Sequence, residues 1–139
     1  MNTEFVITRK ILSLGSRIVN LRSTRLQSFG LTAGQSETLQ YFHNYPGHTA
    51  SDLKKHLNIS HQAARNMVDR LRAKKLLSLL PSKEDARRKE IYLTEAGQTV
   101  YLALTQDGSN VGHSLLAGFS EEEQNQFSAY LDRIISNLS

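Results

Sequence analysis

The stretch from Thr49 to Leu93 constrains the fold more than any other part of the chain. Thr49-Ala50-Ser51-Asp52 reads as a helix N-cap followed by an acidic first turn, and it opens a short helix through Leu53 and Leu57. Asn58 suits the left-handed residue that closes such a helix, and Ser60 can cap the next one. In that next helix Ala64, Met67, Val68 and Leu71 recur at i, i+3, i+4 and i+7, which predicts one buried stripe. Its opposite face is polar and displays His61, Gln62, Arg65, Asn66, Asp69 and Arg72. Two short apolar runs follow, Leu76-Leu77-Ser78-Leu79-Leu80 and Ile91-Tyr92-Leu93, with Pro81 and the charged segment Ser82 to Arg88 between them. They predict a hairpin with a charged tip.

Helix, tight turn, helix and then a basic hairpin is the order of a winged helix-turn-helix. A helix fits the roughly 12 Å wide major groove, where Gln, Asn and Arg can pair with base edges, while a hairpin beside it reaches the backbone or minor groove. The rest of the chain reads as helix. Residues 4–28 carry apolar side chains on more than one face, which suggests a long helix with more than one packing partner, closed by Gly30. Thr32 caps a second helix to about Asn44, stopped by Tyr45-Pro46-Gly47. From about Thr94 a helix runs towards Ala117, weakened by Gly97, Gly108 and Gly112 and open to a kink. Ser120-Glu121-Glu122-Glu123 forms a capping box ahead of Phe127, Tyr130, Leu131, Ile134, Ile135 and Leu138 at helical spacing. The expected fold is mainly α, with six helices and a small β-hairpin wing. Leu at 20 and Ala at 10 against 12 Ile plus Val agrees with that.

At 139 residues the chain is expected to be one domain, long enough to bury a core without metal or disulfide. Cys 0 excludes a disulfide framework, a thiolate metal site and a cysteine nucleophile, and suits a reducing, cytoplasmic setting. Neither a signal-peptide pattern nor a membrane-spanning apolar run is present. The net charge of +4 is unevenly spread: residues 1–48 carry +3, 49–95 carry +5 and 96–139 carry −4. A basic middle third suits a phosphate-contacting surface. Histidines 43, 48, 56, 61 and 113 are scattered, so no helical pair preassembles a metal site, and no cofactor is expected. Glu121 to Glu123 sit where a helix begins and read as caps rather than acid–base pairs. No phosphate-binding glycine loop or nucleophile elbow occurs, so an enzyme is not expected.

Nearly the whole chain resembles the MarR-type transcriptional regulators. The residues that carry the resemblance are Leu31-Thr32 with Gln35, Pro46-Gly47, Ser51-Asp52-Leu53, Ile59-Ser60 and Val68-Asp69-Arg70-Leu71, then Asp85-Ala86-Arg87-Arg88 and Leu93-Thr94-Glu95-Ala96-Gly97. The resemblance implies a homodimer that binds double-stranded DNA at a pseudo-palindromic operator. Residues 1–31 and 96–139 would supply dimerisation helices and 32–95 the DNA-binding region. It implies a repressor released by a small aromatic or phenolic effector. Ser60, His61, Gln62, Arg65, Asn66, Arg70, Lys83, Arg87 and Arg88 would contact DNA, and Asp85 would orient the wing. Arg17, Arg22, Tyr41 and Tyr45 would border an effector pocket, where a ring beside a guanidinium would suit an aromatic carboxylate. The chain departs from the pattern in three places. Lys75 stands where the family usually has Gly, Asn66 replaces a frequent Arg, and Ser78-Leu79-Leu80 lacks a basic residue. The alternative reading is a winged-helix module that binds a partner protein through the outer face of residues 61–72, without sequence-specific DNA binding.

Overall fold

The computed structural model describes residues 2–139; Met1, the first residue of the expected 1–31 element, lies outside the described residues. The order is α1 (Thr3–Ser28), α2 (Ala33–Asn44), α3 (Ala50–Leu57), α4 (His61–Ala73), β1 (Leu77–Pro81), β2 (Lys89–Leu93), α5 (Glu95–Leu115) and α6 (Glu121–Leu138). These are the six helices and one hairpin expected. The chain forms two compact bodies, residues 1–104 and 105–139, whose boundary falls inside α5.

Local chemistry sets the helix starts. Thr32, Thr49 and Ser120 each accept a hydrogen bond from the third residue of their helix. Gln35, Asp52 and Glu123 reach back to the capping residue's own N–H, completing three capping boxes. Ser60 caps α4 from its hydroxyl to the Ala63 N–H. Asn58 closes α3 in the left-handed region at φ 53°, which asparagine tolerates.

The core of the first body lies between α2, α3, α4 and the hairpin. Leu39, Phe42, Leu53, Leu71 and Ile91 are its largest fully buried apolar side chains, each contributing about 1.5–3 kcal/mol by leaving water. Of the stripe expected on α4, Ala64, Val68 and Leu71 are buried. Met67 is only partly buried, because it rides over Gly34 at the start of α2 instead of entering the core. The hairpin pairs Leu77 with Leu93, Leu79 with Ile91 and Pro81 with Lys89. Pro81 therefore belongs to β1 rather than ending it before the strand, and an edge position tolerates its missing N–H. Gly47 donates to the Ile91 carbonyl and Ile91 to the His48 carbonyl, which ties the α2–α3 loop to the wing.

Two positions store or avoid strain. Lys75 sits at φ 63° after α4, in the left-handed region, where its N–H bonds to the Arg72 carbonyl and the next N–H, of Leu76, bonds to that of Leu71. This is a Schellman closure built on a lysine. Gly97, read from sequence as a weak point, is instead a close approach: a Cβ there would stand 2.2 Å from the Leu76 carbonyl oxygen. α5 runs from Glu95 to Leu115, two residues short of Ala117.

These two residues should respond oppositely in one denaturant-unfolding series. Lys75→Gly removes a left-handed β-carbon and should stabilise the chain by roughly 1 kcal/mol. Gly97→Ala should destabilise it by about 1–3 kcal/mol through overpacking against backbone. A neutral Gly97→Ala would show that the contact with Leu76 gives way freely.

Candidate nucleic-acid interface

Burial of one α4 face fixes what the other presents. With Ala64, Val68 and Leu71 turned inward, His61, Gln62, Arg65, Asn66, Asp69, Arg70 and Arg72 are all exposed. Gln62 donates from Nε2 to Asn66 Oδ1 at 2.9 Å, so two amide side chains are held together along one helical ridge. Ser60 is exposed at the N-terminus of α4, with its oxygen engaged in the cap.

The wing tip is organised by its own short side chains. The Ser82 N–H donates to the Arg88 carbonyl and the Arg88 N–H to the Asp85 carbonyl. Asp85 Oδ1 accepts the Arg87 N–H at 3.0 Å and the Arg87 Nε at 3.3 Å. One carboxylate thus fixes both the backbone and the guanidinium of Arg87, whose side chain is still 92% exposed. At such exposure the ion pair itself contributes only about 0–1 kcal/mol, so its geometric effect matters more than its energy. Lys83 stands exposed on the same tip.

Between α3, α4 and the wing lies a cleft of about 480 Å³, lined by Ser51 and Asp52 of α3, Arg65 and Asp69 of α4, and Arg87, Arg88 and Lys89 of the wing, among others. Arg65, Arg87 and Arg88, chosen from sequence, come together here. Gln62, Asn66 and Arg70 share the exposed face of α4 without lining the cleft. Lys89 and Ser51 were missed. Lys89 lay in the same basic run as Arg87 and Arg88, which was the available signal, whereas Ser51 enters only because the fold sets the α3 N-terminus beside the wing.

Asp52 ties the cleft to the cap of α3. Its carboxyl is held below the usual carboxylate range, chiefly by the hydrogen bond from the Thr49 N–H, against the opposing effect of partial burial. The Thr49 hydroxyl, His48 and Arg88 reinforce the lowering. On the other side of Asp52, Tyr41 and Tyr45 line a shallow recess of about 390 Å³ with His48, Lys55 and His56. The Tyr41 hydroxyl lies 2.8 Å from His48 Nδ1, and burial, followed by the Asp52 charge, raises its pKa. Of the four residues expected around an effector pocket, the structure brings these two tyrosines together. Arg22 instead pairs with Glu37 at 2.8 Å, because both lie on exposed faces of neighbouring helices, and Arg17 is exposed along α1.

Comparison with known proteins agrees with this geometry. Residues 29–88, from the end of α1 to the wing tip, match the model of the MarR family. The helix-turn-helix and the hairpin up to its tip are thus similar to that family. It is 25% identical over 132 residues to the HTH-type transcriptional regulator YybA of Bacillus subtilis (strain 168), covering 95% of this chain and 88% of that relative. The whole chain superposes on MepR, a transcription regulator of the Staphylococcus aureus multidrug efflux pump MepA, with a TM-score of 0.82 and 26% identity, and covers all of both chains. It also matches MepR from a MepR–DNA complex, with a TM-score of 0.75 and 28% identity, over 99% of this chain and 100% of that one. The chain thus shares the winged helix of these similar proteins, with a lysine closing α4. Among the described residues, no helix is long and apolar enough to cross a membrane.

The lowered Asp52 pKa has a definite sign in stability. A carboxyl held lower in the folded than in the unfolded state stabilises the fold fully above its unfolded value of about 3.9 and loses that contribution as pH falls through the folded value. Asp52→Asn should therefore be less stable than the parent at neutral pH, and the gap should close on acidification below about pH 4. A gap that stays constant from pH 7 to pH 3 in urea unfolding would contradict the assignment.

Proposed function

We propose that this chain is a homodimeric, sequence-specific DNA-binding transcriptional regulator, a repressor released by a small aromatic or phenolic effector. The observation that carries the reading is the convergence of α4 and the wing on one cationic cleft, with Arg65 from the helix and Arg87, Arg88 and Lys89 from the hairpin. An exposed helix ridge of Gln62, Arg65 and Asn66 suits base edges in the major groove, while Arg87 and Lys83 on the wing suit the backbone or minor groove. Ser60, His61, Arg70 and Arg88 complete the contact surface, and Asp85 orients the wing through Arg87. The DNA-bound state of MepR supports the same docking here.

Dimerisation is supported by apolar surface that a single chain leaves open. α1 exposes Phe5, Ile11, Leu12 and Val19, the last at 64%, and α6 exposes Phe127, Tyr130, Ile134 and Ile135. Burying such faces across a two-fold axis, through residues 1–31 and 96–139, removes the exposure and matches a palindromic site. The effector would use the recess at Tyr41 and Tyr45, with Lys55 rather than Arg17 or Arg22 facing a carboxylate. Such a protein acts on DNA in the cytoplasm and performs no catalysis. No observation favours the protein-interaction reading over DNA binding.

Sedimentation at micromolar concentration should give a dimer, and a well-folded monomer would contradict the pairing of the chain ends. The DNA reading is tested by two substitutions. Arg65→Ala should relax preference at one or two positions in each half-site, at a cost of about 1–3 kcal/mol in discrimination. Arg87→Ala should weaken binding across most sequences and reduce the salt slope by about one charge per wing. Site selection and salt titration on both variants check this; full sequence preference in Arg65→Ala with unchanged affinity and slope in Arg87→Ala would remove the proposed docking.

A further inference from the structure

Lys74, the C-cap of α4, sends its ammonium across 44 residues of sequence to the Gly30 carbonyl and also donates to Gln35 Oε1 at 3.2 Å. Both acceptors belong to the corner between α1 and α2. Gly30, at φ 70°, closes α1 in a Schellman arrangement, with its N–H on Gln27 and the Leu31 N–H on Leu26. Gln35 is buried, and the same Oε1 accepts the Thr32 N–H in the capping box of α2. One ammonium therefore joins the end of α1, the start of α2 and the end of α4. The Gly30 carbonyl, at the C-terminal end of α1, is an acceptor that suits a cation.

The recognition helix has a second attachment to the same turn of α2. Met67 covers Gly34, and Thr38 donates its hydroxyl to the Gly34 carbonyl at 2.8 Å while lying 3.4 Å from the Met67 sulfur. Met67 and Lys74 are seven residues apart, so they share one face of α4 about two turns apart. Two points fix a direction. The apolar point tolerates sliding, since the flexible Met67 side chain makes it, whereas the ammonium point is directional and charge-assisted. Arg65 lies nine residues before Lys74, roughly 13 Å along a rigid helix, so a change of seat at Lys74 moves the base-reading end.

We propose that Lys74 is a positioning residue that transmits the setting of the α1–α2 corner to the recognition helix, and that it acts through Gly30 and Gln35 without contacting DNA. This rests on the DNA-binding reading of α4. Lys74→Met keeps the stem and removes the donors; Gln35→Leu removes one acceptor from the other side. Each variant, with the double variant, is titrated against a duplex that the parent protein selects from a random pool, at a temperature where circular dichroism shows all of them folded.

Lys74→Met should weaken binding about 3- to 30-fold with an unchanged salt slope, and the double variant should lose no more than the worse single one. A slope reduced by about one per subunit with additive losses would make Lys74 a phosphate contact and overturn the proposal, as would unchanged affinity in Lys74→Met. Amide hydrogen exchange on the free protein separates this from the DNA reading itself. Lys74→Met should speed exchange at Thr32, the cap of α2, and at Leu76 beyond α4 together. Unchanged exchange at Thr32 would overturn the coupling even if the parent bound DNA, and a parent that bound no duplex would fail the DNA reading while leaving the exchange result to stand.

Discussion

Burial of Ala64, Val68 and Leu71 is the constraint on which the rest depends. Those three side chains pack into the core that also holds Leu39, Phe42, Leu53 and Ile91, and none is more than 3% exposed. A helix rotated by even one residue, about 100°, would bring charged side chains into that core and pull the stripe out. The rotational setting of α4 is therefore decided by apolar contact, and its polar ridge is presented as a consequence. The wing depends on the same core, since Leu77 and Ile91 enter it from the two strands. Function and stability share one set of contacts without sharing side chains.

Electrostatics then works on a geometry that packing has already set. The basic middle third of the sequence becomes a cleft because β1 and β2 bring Arg87, Arg88 and Lys89 back towards Arg65. Asp52 and Asp69 also line it, so the cleft is not uniformly positive. Asp52 serves the cap of α3, and its charge offsets part of the wing's. Individual surface pairs such as Arg87 with Asp85 contribute little energy and much direction.

Most of this was legible in the sequence for physical reasons that can be named. Caps at Thr32, Thr49, Ser60 and Ser120 are local chemistry, readable within four residues, and the structure has all of them. The α4 stripe was readable from its 3.6-residue period. What sequence could not show were meetings between distant segments. Lys74 reaching Gly30, Gly97 passing under the Leu76 carbonyl, and Arg22 choosing Glu37 over the tyrosines all depend on where helices lie in space. Gly97 was misread as a helix weakness for that reason. Lys75 was visible as a departure, but its left-handed backbone was evident only once α4 had been seen to end there.

In the proposed complex, two copies of this winged helix read DNA through α4 with the wing beside it. Selection of bound duplexes from a random pool by the purified parent protein tests it most directly. The account predicts enrichment of a two-fold-related pair of half-sites, their centres about 10–10.5 base pairs apart or a multiple of that. Recovery of sequences with no common motif, or of a single unrepeated half-site, would contradict it.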